Sequence, residues 1–216
     1  MNRNYQKELE RLLEVQKKEE YVPSLFLHSC CAPCSSYVLE YLSAYFKITV
    51  FYYNPNIFPV QEYEKRVEEQ QRLIRELKTE YPVTFQAGEY HPEEFYHAVR
   101  GLEKIPEGGE RCFACYELRM RRAAELAKAG GYDYFTTTLS ISPLKNAAKI
   151  NEIGEKLERE YGVRHLPSDF KKKNGYQRSI VLSREYGLYR QDYCGCVYSQ
   201  EERKRQKESI VTEEKM

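Results

Sequence analysis

Leu25-Phe26-Leu27-His28-Ser29-Cys30-Cys31-Ala32-Pro33-Cys34 is a short apolar run that stops abruptly at a serine and three cysteines. It reads as a strand that delivers a cysteine loop. Pro33 is expected to break the chain there, with Ser35 or Ser36 capping a helix through about Tyr45. Ile48 to Tyr53, rich in β-branched and aromatic residues, is a second strand, and Asn54-Pro55-Asn56 is turn chemistry. The same alternation continues downstream. Val60 to Thr79 is a charged helix, Val83 to Phe85 a strand, Glu93 to Val99 a short helix and Gly101 to Gly109 a loop. Cys112 to Ala129 is a helix ended by Gly130-Gly131, followed by a strand over Tyr134 to Thr138. A helix over Asn146 to Tyr161, a strand over Val163 to Leu166 and a helix over Ser179 to Tyr186 complete the pattern. Strands alternating with helices predict one α/β domain with a parallel sheet, right-handed crossovers and flanking helices. Residues 2–20 read as a charged helix carrying Tyr5, Leu9, Leu12, Leu13 and Val15 loosely on one side. The body is expected over 21–199, with a charged, frayed helical tail over 200–216. In a parallel sheet, sites lie beyond the carboxyl ends of the strands, where Cys30, Cys31 and Cys34 fall. Ser140 and Ser142 can line the same rim.

The chain has 216 residues, 41% hydrophobic and 31% charged, enough to bury a core without staples. No apolar run is long enough to span a bilayer, and no secretory signal is visible, so a cytoplasmic, reducing environment is expected. Seven cysteines are an odd count there, which disfavours a disulfide framework. The net charge of +1 excludes a polycation, so any nucleic acid must be held by local patches. Twenty tyrosines and no tryptophan leave phenol rings as the main aromatic surface, a few of which can stack on bases.

All seven cysteines fall in three groups: Cys30-Cys31-x-x-Cys34, Cys112-x-x-Cys115 and Cys194-x-Cys196. Small core residues would be scattered. Metal ligands gather, because one metal centre needs several soft donors. The pairs Cys112/Cys115 and Cys194/Cys196 supply the four thiolates of an iron–sulfur cluster, leaving Cys30, Cys31 and Cys34 for a second metal with an open position. Other groupings of four from seven remain open at this level. The distant Cys-x-Cys pair and the adjacent cysteines fit a zinc ribbon poorly. The radical-SAM spacing fails because Tyr37 stands where its third cysteine would be. A bland alternative is a set of buried or zinc-stapling thiols without catalysis.

His28 abuts the first group and can donate a proton or tune the centre, although a histidine at a strand end is more often structural. Asp169 and Asp192 lie near candidate site segments as possible acids or hard ligands. Ser142-Pro143-Leu144-Lys145-Asn146 opens a helix with free N–H groups, and with Lys145 suits an anion such as phosphate. Three basic groups offer phosphate contacts: Arg119/Arg121/Arg122, Lys171/Lys172/Lys173, and Arg178 with Arg184 and Arg190. No Gly-x-Gly-x-x-Gly or P-loop motif occurs.

Several ordered motifs resemble epoxyqueuosine reductase of the QueH type. They are His28-Ser29-Cys30-Cys31-Ala32-Pro33-Cys34, Tyr53-Asn54-Pro55-Asn56-Ile57, Arg111-Cys112-Phe113-Ala114-Cys115-Tyr116, Thr137-Thr138-Leu139-x-x-Ser142-Pro143-x-Lys145-Asn146 and Leu188-Tyr189-Arg190-Gln191-x-Tyr193-Cys194-Gly195-Cys196. The resemblance runs from about Leu25 to Ser199. It implies an adenine-nucleotide alpha-hydrolase-like (HUP) fold and the last step of queuosine synthesis, reduction of the epoxide at the tRNA wobble base to an alkene. In ATP-using relatives of that fold a Ser-Gly-Gly-x-Asp-Ser loop follows the first strand. Ser29-Cys30-Cys31-Ala32-Pro33-Cys34 fills that slot here, so ATP chemistry is expected to be lost, and with it the alternative of a tRNA-thiolating enzyme. The partition expected for that chemistry is a [4Fe–4S] cluster on Cys112, Cys115, Cys194 and Cys196 and a second iron on Cys30, Cys31 and Cys34, polarising the epoxide oxygen. Protons would come from His28, Asp169 or Asp192. Contacts to tRNA would come from Lys145, Lys171, Lys172, Lys173, Arg178 and Arg190, and electrons from an external ferredoxin or flavodoxin-like donor. A zinc-stapled RNA-binding module and a thiol–disulfide protein are the other classes considered; the latter leaves five cysteines unexplained.

Overall fold

Four consecutive buried residues, Leu25 to His28, put strand β1 (Ser24–His28) at the centre of a sheet covered on both faces. In this computed structural model, which describes residues 3–213 and side chains through 209, five strands lie in the order β3-β2-β1-β4-β5. The others are β2 (Lys47–Tyr52), β3 (Val83–Ala87), β4 (Tyr134–Thr137) and β5 (Arg164–His165). Every pair is parallel, with Phe26 opposite Thr49 on one side and Phe135 on the other. The chain winds outward from β1 to β3, then returns across the sheet to β4. The switch point therefore falls between β1 and β4, where ligand crevices of open parallel sheets form. The structure is the single α/β domain with a parallel sheet that the motifs imply, consistent with the HUP-like architecture.

Side-chain alternation divides the core in two. Leu25, Leu27, Ile48, Val50 and Tyr134 face one side and pack with α1 (Tyr5–Gln16), α2 (Ala32–Leu42) and α3 (Val60–Glu76) through Leu9, Leu13, Leu39, Leu42 and Leu73. Phe26, Phe51, Tyr53 and Phe135 face the other side. They pack with α5 (Glu110–Ala129) and α6 (Ala147–Tyr161) through Met120, Ala123, Ala127, Ile150 and Leu157. The short α4 (Pro92–Ala98) packs on the first half of α5 through Phe95, while α7 (Gly175–Glu185) lies on α2 and α8 (Val197–Glu213) ends the described chain. Residues 2 and 214–216 of the expected terminal helix and tail lie outside the described residues.

Two expectations need correction. Pro33 does not break the chain, because α2 starts at Ala32 and proline occupies its first turn, where a missing N–H leaves no bond unmade. Cys31 is the N-cap, and Ser35 and Ser36 lie inside the helix, donating to the carbonyls of Cys31 and Pro33. Likewise α7 starts at Gly175, a turn earlier than Ser179, because Lys173 and Asn174 both turn left-handed and reverse the chain first.

One charged group secures the amino ends of β1 and β4. Asp133 Oδ2 accepts hydrogen bonds from Ser24 N (2.8 Å), Ser24 Oγ (2.8 Å) and Tyr21 Oη (3.0 Å). Burial works to raise its pKa, but the bonds from Ser24 and Tyr21 outweigh this and hold it below the ordinary 3.8. A depressed carboxylate contributes stability above its unfolded pKa and loses it as pH falls through the folded value. Asp133→Asn is therefore expected to destabilise the fold at pH 7 by about 1–2 kcal/mol. The gap to wild type should narrow as pH drops below about 3.9. Urea titrations at the two pH values check this; a gap equal at both rejects it.

Candidate active site and metal centre

The crevice at the switch point is a cavity of about 580 Å³. Its floor is the cysteine loop between β1 and α2. Cys30, Cys31 and Cys34 bring their sulfurs within 4.8 Å of one another, and none of the seven cysteines is in a disulfide. The loop is pinned from both sides. Cys30 N donates to Thr138 Oγ1 at the end of β4 (3.3 Å), and Asn54 Nδ2 donates to the Ser29 carbonyl (2.8 Å). Beneath it Ser29 and Ser35 hydroxyls both reach Gln70 Oε1 at 2.8 and 2.7 Å. The trio shares a charge. Hydrogen bonds from Cys31 and Cys34 pull the Cys30 thiol well below its usual range, and those two are pushed up in turn, Cys31 to about 12. Three soft donors converging on one point fit a single thiophilic ion, which would displace the shared protons.

The other four thiols surround a second, small and enclosed chamber lined by Cys112, Cys115, Cys194 and Cys196. Cys112 and Cys115 stand three residues apart in the first turns of α5, so they share a face. Cys194 and Cys196 come from the turn before α8. Gly195 there has φ +115°, and a side chain would meet Arg66 Nη1 at 2.8 Å and Ile57 Cγ1 at 3.0 Å. The turn is held by Phe58 N donating to the Gly195 carbonyl (2.9 Å) and Arg66 Nη1 donating to the Cys194 carbonyl (3.2 Å). Backbone N–H groups already point at sulfur: Gly108 N at Cys112 Sγ (3.3 Å) and Ser199 N at Cys196 Sγ (3.4 Å). Burial raises the Cys112, Cys115 and Cys196 thiols, Cys115 to about 11, so a cation is needed to hold them as thiolates. Cys194 and Glu107 line both chambers and form the wall the two share.

The remaining residues singled out in the sequence are placed unevenly. His28 is fully buried behind the loop. Its Nδ1 lies 2.8 Å from Thr137 Oγ1 and its Nε2 3.1 Å from the Tyr53 carbonyl. Burial, then the Arg119 charge, pushes its pKa down to about 3. It lines neither chamber, and its two contacts join β1 to the ends of β2 and β4. Asp169 also lies off the cavity wall, ion-paired to Lys171 at 2.7 Å. Asp192 is on the wall, and Lys207 at 2.6 Å keeps its carboxylate below the ordinary range. Ser142 lines the cavity; Ser140 is buried against Ser168 Oγ (3.0 Å).

Of the expected phosphate-binding groups, Arg190 lines the cavity and is exposed. Lys145 lines it too but turns inward, its Nζ 3.5 Å from Cys194 Sγ. Lys171 is tied to Asp169 and the Ser140 carbonyl, Lys173 pairs with Glu10, and Arg178 pairs with Glu40 and Glu185. Lys172 is exposed just outside the wall. Sequence reasoning missed Arg66, Tyr176, Tyr193 and Arg203, which also line the cavity. Arg66 left a trace: Tyr63, Arg66, Gln70 and Leu73 form the buried stripe of α3, and a charge at a core-facing position signals a purpose.

A crevice at the switch point of a parallel sheet, floored by three convergent thiols that could hold a metal, is the site of an enzyme. The family model for "Epoxyqueuosine reductase QueH" matches residues 25–202, and the chain belongs to that family of oxidoreductases. A QueH epoxyqueuosine reductase of Streptococcus pyogenes serotype M1 is 46% identical over 198 residues, covering 91% of this chain and 78% of its own. One from Staphylococcus epidermidis is 43% identical over 200 residues (91% and 84%), and one from Thermotoga maritima 38% over 187 (84% and 92%). Among the described residues no helix is long and apolar enough to cross a membrane.

Proposed function

We propose that the chain reduces the epoxide of epoxyqueuosine at the wobble base of tRNA, giving queuosine. Two electrons and two protons convert the epoxide to an alkene and water. The observation that carries this is the shared wall: Cys194 belongs to the enclosed four-thiol chamber and also to the open cavity floored by Cys30, Cys31 and Cys34. Thiols spaced around a chamber suit a [4Fe–4S] cluster on Cys112, Cys115, Cys194 and Cys196, while thiols meeting at a point suit a second, mononuclear iron on Cys30, Cys31 and Cys34. When bound, the cluster would supply single electrons and the iron a Lewis acid for the epoxide oxygen.

The protein's own part is to hold and orient. Tyr176 and Tyr193 give the cavity two phenol rings against which a splayed-out base can stack, as single-stranded anticodon bases are read. Arg190 and Arg203 sit on the cavity wall, with Lys172 outside it, where the RNA backbone would pass. Lys171, Lys173 and Arg178 are already engaged by carboxylates and contribute to the general field. Of the three acids considered as proton sources, only Asp192 touches the cavity. Electrons would come from an external one-electron donor of the ferredoxin or flavodoxin kind, in a cytoplasmic setting.

Iron, zinc and sulfide content of anaerobically purified protein, with an EPR spectrum after dithionite, tests the centre. About five irons and four sulfides per chain are expected, with turnover of epoxyqueuosine tRNA. Zinc without sulfide would end the redox proposal. Arg190→Ala is expected to weaken tRNA binding and lower the slope of log affinity against log salt by about 1; an unchanged slope removes it from the RNA path.

A further inference from the structure

Two cations in the site are buried without the carboxylates such groups normally require. Arg119 is 1% exposed and Lys145 9%. The other buried arginines are paired, Arg66 with Glu62 and Arg111 with Glu202, both at 2.7 Å. No carboxylate of the described residues pairs with Arg119 or Lys145. An ion taken out of water must be compensated by charge or dipoles close by; Arg119 lines the four-thiol chamber and Lys145 the open cavity, and Glu107 lines both without pairing with either.

Lys145 Nζ lies 3.5 Å from Cys194 Sγ and 5.9 Å from the centroid of the Tyr116 ring. Arg119 lines the four-thiol chamber, and its Nη2 is buried with no partner. The rest of that guanidinium is clamped. Its Nε donates to the Cys115 carbonyl (3.1 Å) and its Nη1 to Asn54 Oδ1 (3.2 Å), while Asn54 holds the Ser29 carbonyl. This linkage runs from the backbone beside one thiol set to the backbone beside the other. It fixes a permanent positive charge between them. Negative charge on Cys115, Cys194 and Cys30 would favour the charged form of Arg119, and negative charge on Cys194 and Cys30 that of Lys145.

We infer that Arg119 and Lys145 are built-in counter-ions of the redox centre, positioning residues that set how readily it accepts an electron. The inference rests on the iron–sulfur reading above. A thiolate-bound centre becomes more negative on reduction, so a fixed cation at its edge stabilises the reduced form more than the oxidised one. Removing the cation makes the reduction potential more negative.

The experiment compares anaerobic wild type with Arg119→Gln, Arg119→Lys, Lys145→Met and Lys145→Arg. Iron and sulfide are assayed first, and the midpoint potential then follows from an EPR-monitored redox titration. Arg119→Gln and Lys145→Met are expected to shift the reduction equilibrium at least tenfold, about 59 mV more negative for one electron. The charge-keeping Arg119→Lys and Lys145→Arg should titrate near wild type. The inference is overturned if loaded Arg119→Gln and Lys145→Met keep the wild-type potential, or if the charge-keeping variants move as far as the neutral ones. Should Arg119→Gln fail to load, Lys145→Met decides, because the Lys145 side chain anchors no backbone group; an unshifted potential there overturns the inference as well. Wild type without iron or sulfide would instead sink the iron–sulfur reading itself.

Discussion

A Cys34→Ala variant is expected to lose the second iron, keep the four-thiol centre, and fall about 10³-fold in turnover of epoxyqueuosine tRNA. Cys34 sits in the first turn of α2, with its sulfur in the convergent trio and not on the wall of the enclosed chamber. Two thiols remaining from three are a poor trap for a single ion. Losing a Lewis acid that contributes several kcal/mol to the transition state corresponds to roughly three powers of ten in rate. The side chain is only partly buried against the core, so the fold should survive its removal. Metal analysis and single-turnover assays on the same preparation check both halves. Full iron content with normal turnover would remove Cys34 from the site. Loss of iron and sulfide together would mean that the seven thiols are divided differently.

Gly175→Ala is expected to destabilise the protein by about 2–3 kcal/mol through overpacking, lowering the Tm by about 5–10 °C for a chain of this size. An added Cβ would stand 2.0 Å from the Phe170 carbonyl oxygen and 2.5 Å from Tyr37 Cε1. The oxygen belongs to the backbone of the turn before α7 and cannot swing aside, and Tyr37 stands on α2, so the start of α7 must shift against both. Tyr176 and Ser179 on that helix line the cavity, so KM for tRNA should rise as well. Thermal denaturation of the metal-loaded protein gives the first number and steady-state kinetics the second. A variant as stable as wild type would show that the α2–α7 contact is looser than drawn.

The centre of the sheet was legible because β1 and β2 are nearly continuous apolar runs, and a run such as Leu25-Phe26-Leu27 has few other uses. Cysteine grouping was legible for a similar reason: clustered thiols are rare unless something collects them. What stayed hidden depends on tertiary partners. Local chemistry makes Pro33 a breaker, and only the position of the helix start turns it into a first-turn residue. His28 looks like a proton donor beside three cysteines, but alternation along β1 turns its ring into the face shared with Phe26, toward Thr137 and Tyr53. Lys145 looks like a phosphate ligand at a helix entry until the fold folds it inward onto Cys194. Arg119 stands four residues after Cys115 on the buried face of α5, so helical spacing carried that signal. It was read as part of a basic run with Arg121 and Arg122, which instead pair with Glu160 and Glu125 at the surface.

The turn at Gly195 has one further consequence. Its two cysteines reach a chamber whose other cysteines lie roughly 80 residues earlier, so a group shared by all four would close a long loop and act as a latch on the last part of the fold. Without that group, the turn is tied by Phe58 N on the Gly195 carbonyl, Arg66 on the Cys194 carbonyl and Cys194 N on Ser199 Oγ, whose hydroxyl donates to Glu107. An unlatched turn samples open states more often, and proteases cut open states. If that group is the proposed iron–sulfur cluster, the lifetime of this protein in a cell should follow the cell's supply of iron, with starved cells clearing the unloaded chain.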